Sequence, residues 1–467
     1  MAMGTRVKRR RQEELFYAAE RAEAPGHPFY KRLNETLEGA DFDGFCEGRC
    51  QAFYHDQLGR PSLAPGVYFR LQLIGFFEGV DSERGIAWRA ADSLSLRRFL
   101  GYGIDEATPD HVTISRTRRR LDAEMHQAVF RWVLERLAGA GLLKGKTIGV
   151  DATTLEANAA MRSIVRSATG ESYREYLAKL AAADGEATDP AALQRKDRKR
   201  KKKRVSNKDW VNPHDGEAEI TKMKDGRTRL AYKAEQAVDL DTGAIVATTA
   251  HRGATGDTTS IQQTLPAAGE AVAEQIATAE QVNPAGVEEV VTDKGYHSGA
   301  TLEKLDEWGV RSYVSEPERG RRKWRGKTKQ QAATYANRRR VTGERGKELL
   351  RRRGEKLERP FAHQFETGAM RRLQVRGLDE VRKKLLIQAA ACNLALLLRT
   401  KHGAGTPRGL AEAAKSLCAV ILRLLGALLG PTRPDNARTD RFDRSRPPRH
   451  TRSRRPNSCL PLSETTV

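Results

Sequence analysis

Up to about Leu143 the apolar residues recur at helical spacing, and from Lys146 the period changes to that of strands. Behind Pro65, the positions Val67, Phe69, Leu71, Leu73, Ile74, Phe76 and Phe77 predict a mostly buried helix. Ile86, Trp88 and Ala91, then Leu94, Leu96, Phe99 and Leu100, predict two shorter ones. Thr108-Pro109-Asp110 supplies a cap and a first-turn proline for a further helix that runs to Arg120 and is basic on its exposed side. Strands are then expected over Lys146 to Leu155, Arg229 to Asp239 and Ala244 to Ala250, the last two joined as a hairpin by Asp239-Leu240-Asp241-Thr242-Gly243. A helix capped at Asp257-Thr258-Thr259 follows and runs to Ile276. Next come a strand at Glu289 to Asp293, a helix from His297 to Trp308, a strand at Val310 to Val314 and a long helical region. That order predicts an α/β fold, a mixed sheet flanked by helices and preceded by an all-helical N-terminal domain.

The pattern divides the chain at 143 and 400. Residues 1–143 read as helical, 144–400 carry the strands with an insertion at about 160–226, and 401–467 hold one more apolar helix near Leu417 to Leu429. From Pro431 onward too few apolar residues remain to build a core, and disorder is expected. The insertion stands out by charge: nine of the ten residues from Arg195 to Arg204 are Lys or Arg. Such a block either stays solvated or lies along a polyanion. The whole chain points the same way, with 83 Lys and Arg against 60 Asp and Glu and a net charge of +23. A surplus of that size calls for an anionic partner, and nucleic acid is the first candidate.

Five scattered cysteines, Cys46, Cys50, Cys392, Cys418 and Cys459, form neither an even disulfide framework nor a zinc site, so reduced thiols are expected. The basic N-terminus is followed by Gln12-Glu13-Glu14 and not by an apolar stretch, and Ser416 to Gly430 is short and broken by Arg423. The expected location is the bacterial cytoplasm, on DNA, with no membrane role.

Against that basic background three carboxylates are conspicuous. Asp151 ends the apolar run Thr147-Ile148-Gly149-Val150, Asp293 ends Glu289-Val290-Val291-Thr292, and Glu358 lies in a basic helical stretch. A strand-end aspartate by itself most often caps a turn or a helix. Three hard oxygen ligands from rigid elements, however, can hold two divalent cations about 4 Å apart over a phosphodiester. Mg²⁺ is the expected ion, two per site, with Mn²⁺ as a substitute. The helix that runs to Arg120 and carries Arg116 and Arg118 fits either a major-groove reader in a helix-turn-helix or a solvated surface helix.

The motifs Val150-Asp151-Ala152-Thr153-Thr154-Leu155-Glu156-Ala157-Asn158, Ile220-Thr221-Lys222-Met223-Lys224-Asp225-Gly226 and Leu230-Ala231-Tyr232-Lys233-Ala234-Glu235 resemble, in this order, those of the DDE transposases of bacterial insertion sequences. Thr292-Asp293-Lys294-Gly295-Tyr296-His297 and Leu357-Glu358-Arg359-Pro360-Phe361-Ala362-His363 continue the resemblance, which covers roughly Asp56 to Arg399. It implies a ribonuclease H-like catalytic core, Asp151, Asp293 and Glu358 as catalytic metal ligands, and cleavage and strand transfer of DNA at the element's ends. It also implies double-stranded DNA as partner, as terminal inverted repeats and as target, and a homodimer or higher oligomer on that DNA. Related enzymes carry Tyr and Arg before the glutamate and Lys after it. Here Arg353 stands near the place of that Arg, Leu349 and Leu350 stand where the Tyr would be, Gln364 and Phe365 occupy the spacing of the Lys, and Arg371 and Arg372 are candidates for its phosphate contact.

DNA contacts are thus expected from Arg116, Arg118, Lys199, Arg200, Lys201, Lys202, Lys203, Arg204, Arg353, Arg371 and Arg372. Glu355 and Glu366 compete with Glu358 for the third place, Glu355 more naturally as an ion-pair partner of an arginine. His297 and His363 are read as hydrogen-bonding or DNA-contact residues, and Trp210 and Trp324 as packing residues before base-stacking ones. Two other functions share these features: a structure-selective nuclease of the same fold, and an inactive remnant that only binds DNA. Replacing several residues of the run from Arg195 to Arg204 by Ser is expected to flatten the slope of log K against log salt by roughly 0.9 per lost phosphate contact. Binding isotherms at several salt concentrations check this, and an unchanged slope identifies a solvated linker.

Overall fold

The structure is a computed structural model that describes residues 2–6, 26–55, 62–186, 188–199, 205–318, 320 and 322–429. Among the described residues seven α-helices come first: α1 (Pro28–Glu38), α2 (Phe42–Cys50), α3 (Pro65–Glu78), α4 (Glu83–Asp92), α5 (Leu94–Leu100), α6 (His111–Arg120) and α7 (Ala123–Gly139). The first long strand, β1 (Thr147–Glu156), leads into a small subdomain made of β2 (Val165–Arg166), α8 (Tyr173–Ala183), α9 (Pro190–Lys199) and β3 (Trp210–Val211). The sheet resumes with β4 (Glu219–Lys222), β5 (Thr228–Asp239) and β6 (Ile245–Arg252), then α10 (Asp257–Ile276), β7 (Glu289–Thr292), α11 (Gly299–Glu307) and β8 (Arg311–Val314). Four helices close the described chain: α12 (Thr328–Thr342), α13 (Glu344–Glu366), α14 (Leu378–His402) and α15 (Pro407–Leu429).

Six strands form one mixed sheet in the order β4-β5-β1-β7-β8, with β6 also pairing β5. The β4-β5, β5-β6 and β1-β5 pairs are antiparallel, whereas β1-β7 and β7-β8 are parallel. An antiparallel hairpin beside a first strand that is continued by two parallel strands, with helices as crossovers, is the ribonuclease H-like arrangement expected from the resemblance. The hairpin falls where its turn residues place it. Asp239 is fully buried, and its carboxylate accepts the backbone N–H of Lys144 at 2.6 Å, Gly145 at 2.9 Å and Asp241 at 2.8 Å. Gly243 takes φ +86°, which a side chain would resist.

Both sheet faces are covered. Ile148, Val150, Ala237 and Val290 pack under Ile261, Leu265 and Ala268 of α10. On the other face Gly149 lets α13 approach closely: a Cβ there would lie 2.5 Å from Leu357 Cδ1 and 2.7 Å from Leu240 Cδ2. Helix α14 is buried nearly all round, through Val381, Leu385, Leu386, Ala389, Ala390, Leu394 and Leu397, as befits an interior helix. It packs on α7 and α3 on one side and on β6 on the other. Residues Met1–Ala414 therefore form one compact unit that includes the N-terminal helices, and Lys415–Val467 a second.

The insertion, conspicuous in the sequence only for its charge, carries ordered structure beside the basic run: α8 opens with a full capping box at Ser172 and Glu175, and Trp210 meets Tyr173 and Tyr176 edge-on. The motif from Ile220 to Gly226 supplies an edge strand and its turn. The segment from Pro431 onward lies outside the described residues. Because the buried Asp239 accepts three backbone N–H groups, of which the bond from Gly145 is wholly buried, Asp239→Ala is expected to cost at least the about 1–3 kcal/mol of one orphaned buried donor. Chemical denaturation of the two proteins measures it.

Candidate active site

The register of one strand pair assembles the centre of the site. In the parallel β1-β7 pair Gly149 stands opposite Val291, and continuing that register by two residues sets Asp151 beside Asp293. Side chains two apart along a strand share a face, so both carboxylates emerge on the side that α13 covers. Arg353 of α13 lies between them, its Nη2 3.0 Å from Asp151 Oδ1 and 3.9 Å from Asp293 Oδ2. The guanidinium is only 17% exposed, against 24% for Asp151 and 43% for Asp293. Each aspartate also accepts a backbone N–H at 2.9 Å, Asp151 from Ala152 and Asp293 from Gly295.

Burial pushes the Asp151 carboxyl above the usual range, Arg353 opposes that shift, and the neighbouring Asp293 charge adds to it. Two carboxylates that repel each other at this distance need a cation, and here the cation is a guanidinium. The donor set fits a divalent ion as well, since both groups offer hard oxygens and the arginine already marks where positive charge settles.

Glu358 stands apart from this pair. It is exposed on α13, and among the described residues no cluster of three His, Cys, Asp or Glu is close enough for a metal. The reason is helical geometry. Arg353 and Leu357 face the sheet, Leu357 being held over Gly149, and five residues beyond Arg353 the side chain has turned roughly 140° away from that face. Pro360 lies inside the same helix, where it removes one main-chain hydrogen bond. The competing glutamates do not fill the place either: Glu355 pairs with Arg359 at 3.1 Å, the ion-pair role expected of it, and Glu366 is exposed.

The remaining residues fall into three groups. Arg116 is exposed on α6, Lys199 is exposed on α9, and Arg371 and Arg372 are exposed after α13, with Arg371 over the Phe365 ring and Arg372 3.9 Å from Glu156. Arg118 turns inward, pairs with Glu83 at 2.7 Å and with Glu380, and so joins α6 to α4 and α14 in place of the expected DNA contact. Arg200, Lys201, Lys202, Lys203 and Arg204 lie outside the described residues. His297 is buried with Arg322 3.3 Å from its Nδ1, and burial lowers the affinity of His363 for a proton. Trp210 is core, and Trp324 tilts against Tyr335.

Sequence reading passed over Glu235 and Lys233, treating them only as letters of a motif. Their signal was available: two charges, two residues apart, in a strand from Leu230 to Val238 whose other residues are uncharged and, Gln236 apart, apolar or aromatic. Both side chains are buried behind the aspartate pair.

Comparison with known proteins adds family to geometry. Residues 17–120 match a family model described as a transposase domain (DUF772), and residues 314–398 match one described as a transposase DDE domain. The second stretch contains Arg353, Glu358, Arg371 and Arg372. No curated protein matches. Among solved structures, the Mos1 transposase paired-end complex with left transposon end aligns at 11% identity over 75% of this chain and 90% of that one, with a TM-score of 0.18.

Removing Arg353 leaves the aspartates to repel each other. Arg353→Gln is therefore expected to raise the Asp151 pKa further, so that on acidification Asp151 takes up its proton at a higher pH than in the parent chain. Carboxyl-carbon NMR titration reads this directly, and an unmoved Asp151 resonance excludes the pairing.

Proposed function

We propose that this chain, a DDE transposase by family, cleaves DNA at the ends of an insertion sequence and transfers the freed strand to a target, with Asp151 and Asp293 holding divalent metal. The observation that carries the reading is the convergence of these two aspartates from adjacent parallel strands onto a single cationic group, just past the last paired residues of β1 and β7. When bound, divalent metal would lower the pKa of an attacking hydroxyl and offset charge on the leaving oxygen. Asp151, rooted in the central strand, and Asp293, just past the end of β7, would hold that metal through their hard carboxylate oxygens. Arg353 neutralises the pair in the free protein and is placed to turn to a phosphate when metal takes that role.

Glu358 is the third ligand in this reading, supported by its place in the matched DDE segment and by the family resemblance. Since it faces outward in the free chain, it would join the aspartates only after α13 turns, and the missing main-chain bond at Pro360 makes that helix easier to bend there. Two ions, Mg²⁺ or Mn²⁺, then fit the three carboxylates. DNA ends and target are gripped by exposed cations on α6 and α9 and after α13, with the net charge of +23 supplying sequence-independent affinity. Bringing two ends together calls for a dimer or higher oligomer. Among the described residues no helix is long and apolar enough to cross a membrane.

Asp151→Asn and Asp293→Asn are expected to reduce cleavage of end-containing DNA by at least 10³-fold while changing the Kd for the same DNA less than about threefold, because each removes a metal ligand and not a phosphate contact. Gel assays of nicking with and without Mg²⁺, alongside binding in chelator, test both halves. Cleavage that survives in Asp293→Asn rules out the site, and a parent chain that binds ends but never cuts them is the DNA-binding remnant. Glu358→Gln follows the aspartate variants if Glu358 is a ligand and resembles the parent if it is only a surface residue.

A further inference from the structure

The turn that carries Asp293 is held from the far side of the sheet. Glu235 pairs with Ala152 across the β1-β5 ladder, one residue from the Asp151–Gln236 pair, so its side chain leaves by the opposite face. It is wholly buried there. Its Oε1 accepts Ser260 Oγ at 2.5 Å and Tyr296 Oη at 2.8 Å, and its Oε2 accepts the Thr264 hydroxyl. Lys233 Nζ lies 4.0 Å away and donates to Asp257 Oδ1 at 2.5 Å, Ser260 Oγ at 2.8 Å and the Thr255 carbonyl at 3.1 Å.

Two of these partners grip the Asp293 turn. Tyr296 ends the single helical turn Lys294–Tyr296 that Asp293 caps, and it is buried with its hydroxyl on Glu235. Gly295 is pressed between the Asp257 and Asp293 carboxylates, where a Cβ would collide with Asp257 Oδ2. Asp293 is itself 43% exposed, and within its own side chain only the bond from Gly295 N fixes Oδ1. A buried ion pair of this kind is a poor way to gain stability, since apolar residues of equal volume would serve as well or better. Ligand orientation, by contrast, depends on such outer partners.

We infer that Glu235 and Lys233 are positioning residues, a latch that sets where the Asp293 carboxylate stands relative to Asp151 by anchoring Tyr296 and Asp257. The inference rests on the reading of Asp293 as a metal ligand. The latch also explains why a motif read as Leu230-Ala231-Tyr232-Lys233-Ala234-Glu235 contains two charges that never reach solvent.

The test uses the full chain with Mn²⁺ as the probe, titrated by electron paramagnetic resonance, and amide hydrogen exchange across residues 293–297. Glu235→Gln and Tyr296→Phe are expected to weaken Mn²⁺ binding about 10-fold or more, the range in which outer partners act, and to speed exchange at the turn. Thr264→Val removes a donor from the same carboxylate without touching the turn, so it is expected to lower Tm and leave both readings unmoved. Should Glu235→Gln not fold, Tyr296→Phe decides, because it deletes one oxygen. If Asp293→Asn abolishes Mn²⁺ binding and Tyr296→Phe leaves it unchanged, the latch is overturned and the metal site stands. Equal weakening by Thr264→Val also overturns the latch, by showing a general loss of packing. Undiminished Mn²⁺ binding in Asp293→Asn overturns the metal reading and the latch with it.

Discussion

Everything chemical in this molecule depends on the pairing of β1 with β7. Three consecutive residue pairs, Thr147 with Glu289 through Gly149 with Val291, fix a parallel register, and a slip of one residue would send one aspartate to the opposite face. The register is itself secured at its start, where the buried Glu289 accepts the Thr147 hydroxyl at 2.7 Å and Arg345 at 2.6 Å. Arg345 and Arg353 belong to the same helix. One end of α13 thus pins the strands, and its middle places a cation between the carboxylates that those strands present.

The excess of basic residues is distributed with some economy. Many arginines are consumed within the fold: Arg70 is fully buried against Asp43 at 2.6 Å, Arg118 ties α6 to α4 and α14, and Arg338 clasps Glu316. These hold the helical region and the sheet together and give nothing to a polyanion. Arg116, Lys199, Arg371 and Arg372 are exposed instead. Counting charges along the sequence cannot separate the two groups, because both look alike until the acids that neutralise some of them are brought near by folding.

That distinction governs how much of the molecule was legible. Apolar period gave α3 to α6, the strands β1, β5, β6, β7 and β8, the hairpin and the helix over the sheet, because each rests on local spacing and on turn chemistry such as that around Gly243. The end of an apolar run singled out Asp151 and Asp293, but only Asp293 follows the end of its strand, since β1 continues past Asp151 to Glu156 and Asp151 stands mid-strand. Arg118 went astray, as its partner Glu380 lies far along the chain. Glu358 could be found by motif, but its outward direction follows from Leu357 filling the space above Gly149, a tertiary fact. The insertion misled through its charge: the run of cations hid the capping box at Ser172 and the aromatic cluster of Tyr173, Tyr176 and Trp210 just beside it.

The close contact at Gly149 makes the spacing between helix and sheet a single-valued quantity. With no side chain at that position, α13 rides near the floor of the sheet, and an arginine four residues before Leu357 has the reach to touch Asp151. A methyl group at 149 would lift the helix like a shim under a hinge and carry Arg353 out of range of the aspartates, although nothing charged had been altered. The electrostatics of the site are therefore set by an atom that is missing, two residues away from the nearest carboxylate.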